Sequence, residues 1–113
     1  MLSQLQNEFL YALGRLLVWS HDEGFQLTGG ELYRTPEQCE WNAVRGVGIA
    51  NSLHAKRLAI DLNLIIAGRL ATECRDYQRH GDFWKALHPK ACWGGDFASR
   101  DGNHFSFQYE GRK

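Results

Sequence analysis

From Leu58 onward the chain alternates: Leu58, Ile60, Leu62 and Leu64 fall on one side, Ala59, Asp61 and Asn63 on the other. Side chains of an extended strand point to opposite faces in turn, so a period of two predicts a half-buried β-strand. The leucine and isoleucine face goes to a core. The other face carries Asp61 between two small or polar residues, as the floor of a cleft would. His54 stands seven positions before Asp61. A bend ahead of the strand would set its imidazole beside that carboxylate.

A second stretch answers the first. In His104–Tyr109 the aromatic residues Phe105, Phe107 and Tyr109 alternate with His104, Ser106 and Gln108. This again predicts a strand with one packed and one polar face. If the two strands are neighbours, opposed side chains have Cβ atoms roughly 4.5–5.5 Å apart. Asp61 and His104 would then share a metal ion, with His54 as the third ligand. Two imidazoles and one carboxylate make a zinc site with a fourth position left for water. Zinc is favoured over magnesium and calcium because those ions prefer all-oxygen sites.

Composition narrows the function classes. A chain of 113 residues, 43% apolar and 12% aromatic, fits one domain over 1–113 with a modest, firmly packed core. Thirteen basic residues cancel thirteen acidic ones. The basic stripe of a nucleic-acid binder is missing, and so is a cationic tail that would hold the protein on a membrane. Cys39, Cys74 and Cys92 are an odd number with no Cys-x-x-Cys pair. Neither a disulfide framework nor a zinc knuckle is expected; the three read as small buried residues in a reducing compartment. Glu8 and Arg15 interrupt the first apolar run, so the N-terminus does not read as a signal peptide. No stretch approaches the ~18 apolar residues of a membrane-spanning helix. The expected location is the cytoplasm of a bacterial host until something releases the protein.

In chain order, Leu2, Leu5, Phe9, Ala12, Leu13, Leu16 and Leu17 recur at three- and four-residue spacing, predicting a helix over about 2–19 capped by Ser3. His21–Gly24 reads as a turn, and Phe25–Leu32 as a strand that ends in a bend at Gly29 and Gly30. Thr35-Pro36-Glu37-Gln38 opens a helix that runs to about Val44. Arg45–Asn51, with Gly46 and Gly48, reads as a flexible loop that includes Ser52 at its end. Ala67-Gly68-Arg69 predicts a tight turn, with Leu70 and Ala71 as a hairpin partner. Thr72–Leu87 is expected to be mostly helical, capped by Thr72 or Glu73, with Tyr77, Phe83, Trp84 and Leu87 buried. His80 and His88 read as surface histidines. Pro89 stops that helix, and Lys90–Asn103 reads as a loop.

Ser52, His54, Ala59 and Asp61 form a Ser-x-His-x-x-x-x-Ala-x-Asp pattern, and Asp101 and His104 an Asp-x-x-His pattern. Together they resemble the zinc DD-peptidase and L-alanyl-D-glutamate peptidase family, the M15 peptidases that cut peptidoglycan stem peptides. Trp93-Gly94-Gly95-Asp96-Phe97 resembles a segment of its phage endolysin members. Tyr33-Arg34-Thr35-Pro36-Glu37-Gln38 resembles the family's upstream Tyr-Arg-Ser/Thr…Gln segment. The four matches come in the family's order. One position departs: many members have Gly where this chain has Arg57, and the form seen here looks like a short phage and prophage branch. The fold implied is α+β, a small antiparallel sheet with helices packed on one face, as in Hedgehog-like and DD-peptidase domains.

The resemblance implies roles. His54, Asp61 and His104 would hold Zn2+. Asp101 would be the general base for a zinc-activated water, and Arg34 would stabilise the oxyanion, although each alone reads as an ordinary turn or surface residue. Ser52, Gln38 and Trp93 would contact substrate. The expected activity is hydrolysis of a stem-peptide amide, foremost L-alanyl-D-glutamate, by a monomeric phage-type lysin that reaches the periplasmic wall after a holin opens the membrane. A D-alanyl-D-alanine carboxypeptidase is the alternative with the same chemistry. A non-catalytic zinc-stabilised wall-binding module is the alternative without it, and Asp101 speaks against that one.

Overall fold

A computed structural model describes residues 1–44 and 52–113. The loop expected over 45–51 lies outside the described residues. The first helix, α1, spans Leu2–Asp22. Its apolar repeat buries Leu5, Phe9, Ala12, Leu13 and Leu16, while Leu17, expected on the same face, stays largely exposed. Met1 is the N-cap and no side chain caps the helix, so Ser3 sits inside the first turn and not at the cap. Gly24, with φ +86°, then takes the left-handed conformation that turns the chain away.

Strand β1 (Gln26–Gly29) runs antiparallel to β2 (Ala59–Ile66), with Gln26 opposite Ile65 and Gly29 opposite Leu62. Between them lies α2 (Pro36–Val44), where Thr35 Oγ1 accepts the Gln38 N–H at 3.1 Å, as the capping pattern implies. Strand β2 turns back through Ala67 and Gly68, both at positive φ, into the short β3 (Arg69–Leu70). Helix α3 covers Gln78–Leu87 and is preceded by a 3₁₀ turn over Cys74–Tyr77, so the expected long helix is two pieces. The stretch read as a loop after Pro89 contains a further strand of the sheet, β4 (Ala91–Trp93), which pairs with β5 (His104–Phe107). The sheet order is β1-β2-β5-β4, antiparallel throughout, with β3 also on β2. The architecture is α+β, as expected.

The core lies between the sheet and the two long helices. Leu58, Leu62 and Leu64 from β2 and its approach are at most 2% exposed. Phe9 of α1 meets Trp84 of α3 and Phe107 of β5 edge-on, with ring centroids 5.5 and 5.3 Å away. The Trp84 indole N–H donates to the carbonyls of Cys92 and Ser106 at 3.1 and 3.2 Å, tying α3 across β4 and β5. A buried indole that satisfies its N–H contributes packing without a desolvation cost. Truncating Phe9 or Trp84 to Ala costs about 3–5 kcal/mol for residues of this kind.

Two expectations for this layer need correction. His80 is not at the surface but 1% exposed, with Nε2 2.8 Å from Ser20 Oγ and its ring edge-on to Trp19 and Phe25. His88 is half-buried, stacked on Phe107 and 3.3 Å from Glu8. Cys74 and Cys92 are free and only partly buried. Among the described residues no helix is long and apolar enough to cross a membrane.

Candidate metal centre

Pairing of β2 with β5 sets Asp61 directly opposite His104. Both belong to the polar face whose opposite side carries the leucines, so the core that holds the sheet also aims these two side chains. His54 arrives from a 3₁₀ turn over Leu53–Lys56. Ser52 Oγ accepts the His54 backbone N–H at 3.2 Å and caps that turn. Ser52 is buried, so its oxygen orients His54 and is not the free loop hydroxyl expected for substrate contact. The turn ends at Arg57, with φ +57° and ψ +37°. This is the left-handed region, costing a non-glycine residue of order 1 kcal/mol, so glycine would be less strained at this position. Arg57 lies 4.3 Å over the Tyr33 ring, a cation–π contact that offsets part of the cost.

His54 Nε2 and His104 Nδ1 each lie 3.6 Å from Asp61 Oδ1, and the three donor atoms all lie within 4.8 Å of one another. A separation of 3.6 Å is too long for a hydrogen bond. Two ligands on a tetrahedral zinc at about 2.0–2.1 Å are roughly 3.4 Å apart. The donors therefore stand close to the spacing that one shared cation imposes. Among the described residues His54 Nδ1 and His104 Nε2 are buried without a hydrogen-bond partner; the opposite ring nitrogens face the carboxylate and are the ones placed to ligate. Burial alone would raise the Asp61 carboxyl. The contacts with His104 and then His54 outweigh it and hold the group well below the ordinary carboxylate range, so Asp61 is an anion ready to ligate. Residues and geometry fit zinc.

The strand edge beside Asp61 extends past β1. Gly30 N–H donates to Asp61 O at 2.7 Å, Asp61 N–H to Glu31 O at 3.0 Å, and Arg34 N–H to His54 O at 3.2 Å. A Cβ on Gly30 would meet the Asp61 carbonyl at 2.8 Å, so only glycine permits this approach. The stitching carries Arg34 to the His54 turn, and its guanidinium is paired with the Glu31 carboxylate. Sequence reasoning missed Glu31. The Gly29-Gly30 pair was its only signal, and it was read as a bend.

On the other side, the Trp93-Gly94-Gly95 segment acts as a scaffold. Trp93, expected to touch substrate, is 1% exposed, and its indole N–H donates to Gly102 O at 2.7 Å. Gly94 lets the following loop fold back: a Cβ there would stand 2.1 Å from Asp101 O and 2.8 Å from His104 Cβ. Asp101 N–H donates to Gly94 O at 2.9 Å and His104 N–H to Asp101 O at 3.1 Å. That tight turn leaves the Asp101 side chain exposed, three residues before His104, and outside the three-donor group. Gln38 is exposed in the first turn of α2. A further pair went unread: Asn103 Nδ2 donates to Asn63 Oδ1 at 3.0 Å, one step along β2 from Asp61 on the same face.

Comparison with known proteins adds two findings. A family model described as D-alanyl-D-alanine carboxypeptidase matches residues 45–107, a span that includes His54, Asp61, Asp101 and His104. The fold is similar to the crystal structure of the Serratia marcescens L-Ala D-Glu endopeptidase ChiX. The TM-score is 0.74 at 18% identity, over 90% of this chain and 79% of that one. No curated protein matches the chain by sequence.

Proposed function

The chain belongs to the M15 peptidase family, and on that footing we propose that it is a zinc-dependent hydrolase of peptidoglycan stem peptides, cutting the L-alanyl-D-glutamate bond. The observation that carries this reading is the cross-strand pair of Asp61 and His104 with His54 beside it. Its substrate side is supported by the likeness of fold to an L-Ala D-Glu endopeptidase.

His54, Asp61 and His104 are the residues that would hold zinc, and zinc when bound supplies a Lewis acid and lowers the pKa of water from about 15.7 to about 7. Everything else falls to the chain itself. Asp101 takes the proton from the attacking water and returns one to the departing amine, a role that typically contributes about 10²–10⁴-fold. Arg34 offers its guanidinium to the oxygen of the scissile carbonyl as charge builds there. Glu31 holds Arg34 until then, and the Gly30 contact keeps both beside Asp61. Gly94 and Trp93 hold the turn that aims Asp101.

Mass spectrometry of isolated peptidoglycan digested with zinc-loaded protein tests the reading. The expected products arise by cleavage between alanine and glutamate. The description of the matching family model favours a second reading, a D-alanyl-D-alanine carboxypeptidase, whose digest would instead lose a single C-terminal alanine. Intact peptides with zinc present would leave a wall-binding module. The Trp93-Gly94-Gly95 resemblance extends the proposal to a phage or prophage lysin. Cells expressing it without a holin are expected to stay intact until their inner membrane is permeabilised.

A further inference from the structure

Next to the triad lies a cavity of about 270 Å³ whose lining includes Asn63, Thr72, Cys74, Arg100, Asp101 and Asn103. Asn63, Asp101 and Asn103 of its lining are chain neighbours of Asp61 and His104. Asn63 follows Asp61 by two residues on β2, hence on the same face and about 7 Å further along. Asn103 is bound to it and precedes His104, while Leu62 N–H donates to Asn103 O at 2.9 Å.

The polar lining has a definite chemistry. Among the described residues that line it, Arg100 is the only cation. Its Nε donates to Gly95 O at 3.3 Å, which ties the side chain to the Trp93-Gly94-Gly95 scaffold. No carboxylate among the described residues pairs with it. Among the described residues only its Nε has a partner, which leaves the terminal guanidinium nitrogens to an incoming anion. The Asn63–Asn103 bond uses one N–H of Asn103 and the Asn63 carbonyl, leaving the Asn63 NH2 group and the Asn103 Oδ1, a donor and an acceptor that complement a peptide group. The nearby Tyr77 hydroxyl is already committed, donating to Ala71 O and accepting from Leu64 N–H.

The geometry points to a subsite for a free carboxylate on the residue that leaves with the amine, held by Arg100, with Asn63 and Asn103 on its peptide group. This rests on the peptidase reading above. Asp101 lines the same cavity and returns the proton to the departing amine, so the leaving residue is the one at this mouth. A glutamate within a chain always keeps one of its two carboxyls free, whichever carries the chain onward. An arginine–carboxylate pair supplies the strong, oriented contact that such a residue offers.

The test is binding, measured by calorimetry on zinc-loaded protein, so that it does not depend on turnover. Two synthetic peptides containing alanyl-D-glutamate are compared, one with the free glutamate carboxylate and one with that group as a carboxamide. Asp101→Asn protein serves as the background so that neither is consumed. The carboxylate peptide is expected to bind roughly tenfold tighter. Adding Arg100→Gln is expected to remove the preference while leaving affinity for the carboxamide unchanged. Equal binding of both peptides, binding of neither, or a preference that survives Arg100→Gln overturns the subsite. Discrimination by binding in a parent protein that cuts neither peptide would instead overturn the peptidase reading and leave the carboxylate site standing.

Discussion

His80 is more deeply buried than either histidine of the triad, 1% exposed against 4% for His54 and 8% for His104. Yet the two environments do opposite things. Around His80 stand the rings of Trp19 and Phe25 and a serine hydroxyl, with no carboxylate paired to it among the described residues; burial first and the charge of Arg79 second push it down to about 4. It stays neutral and works as a tie between α1 and α3. Around His54 and His104 stands one ionised carboxylate, Asp61, at equal distance from both. Burial alone therefore does not mark a site. The carboxylate placed opposite by the β2–β5 register groups it with two buried imidazoles that could together hold a cation.

Changes on the triad side of this comparison have the largest expected effect. Asp61→Asn keeps the shape and removes the charge that both imidazoles face. Peptide release from isolated walls should fall below detection, as it should when the parent is stripped with a chelator, and added zinc should restore only the parent. Normal turnover by Asp61→Asn would place the chemistry elsewhere. Asp101→Asn comes next. It should slow peptide release by about 10²–10⁴-fold with zinc content unchanged; an unaffected rate would move the base to another carboxylate, with Asp96 first in line. Arg34→Ala should cost about 10²-fold or more in kcat with zinc retained. Near-normal kcat would return Arg34 to a purely structural pairing with Glu31.

How much of this was legible in the sequence follows from the range of each interaction. The β2 alternation was readable because burial of one sheet face is a local pattern, and the pairing of Asp61 with His104 followed once two such strands were taken as neighbours. Strand β4 was hidden, being three residues long inside a stretch of Gly, Asp and Ser, and held by pairing with β5 and not by its own propensity. His80 was misread because its burial depends on Ser20, sixty residues away. Nothing in the Gln78–Leu87 pattern announces that contact. Trp93 was misassigned for a related reason: a motif marks that a residue matters, and only packing shows whether it touches substrate or holds the turn that does.

The His80 side gives the smallest effect, and one of stability. The folded state keeps this group neutral down to about pH 4, whereas the unfolded chain takes up a proton from about pH 6.5. Stability is fully present above pH 6.5 and declines as pH falls toward 4, by about 3 kcal/mol at most. Urea unfolding of metal-free parent and His80→Gln across that range should show the decline in the parent and a flatter profile in the variant. Parallel profiles would assign the acid sensitivity to other groups.

Zinc content read on both sides of the comparison tests the central claim most directly. Elemental analysis of folded parent and His80→Gln is expected to give about one zinc per chain, and of folded His104→Ala far less. Full zinc in His104→Ala, or its loss from a folded His80→Gln, would contradict the assignment of His54, Asp61 and His104 as the metal centre.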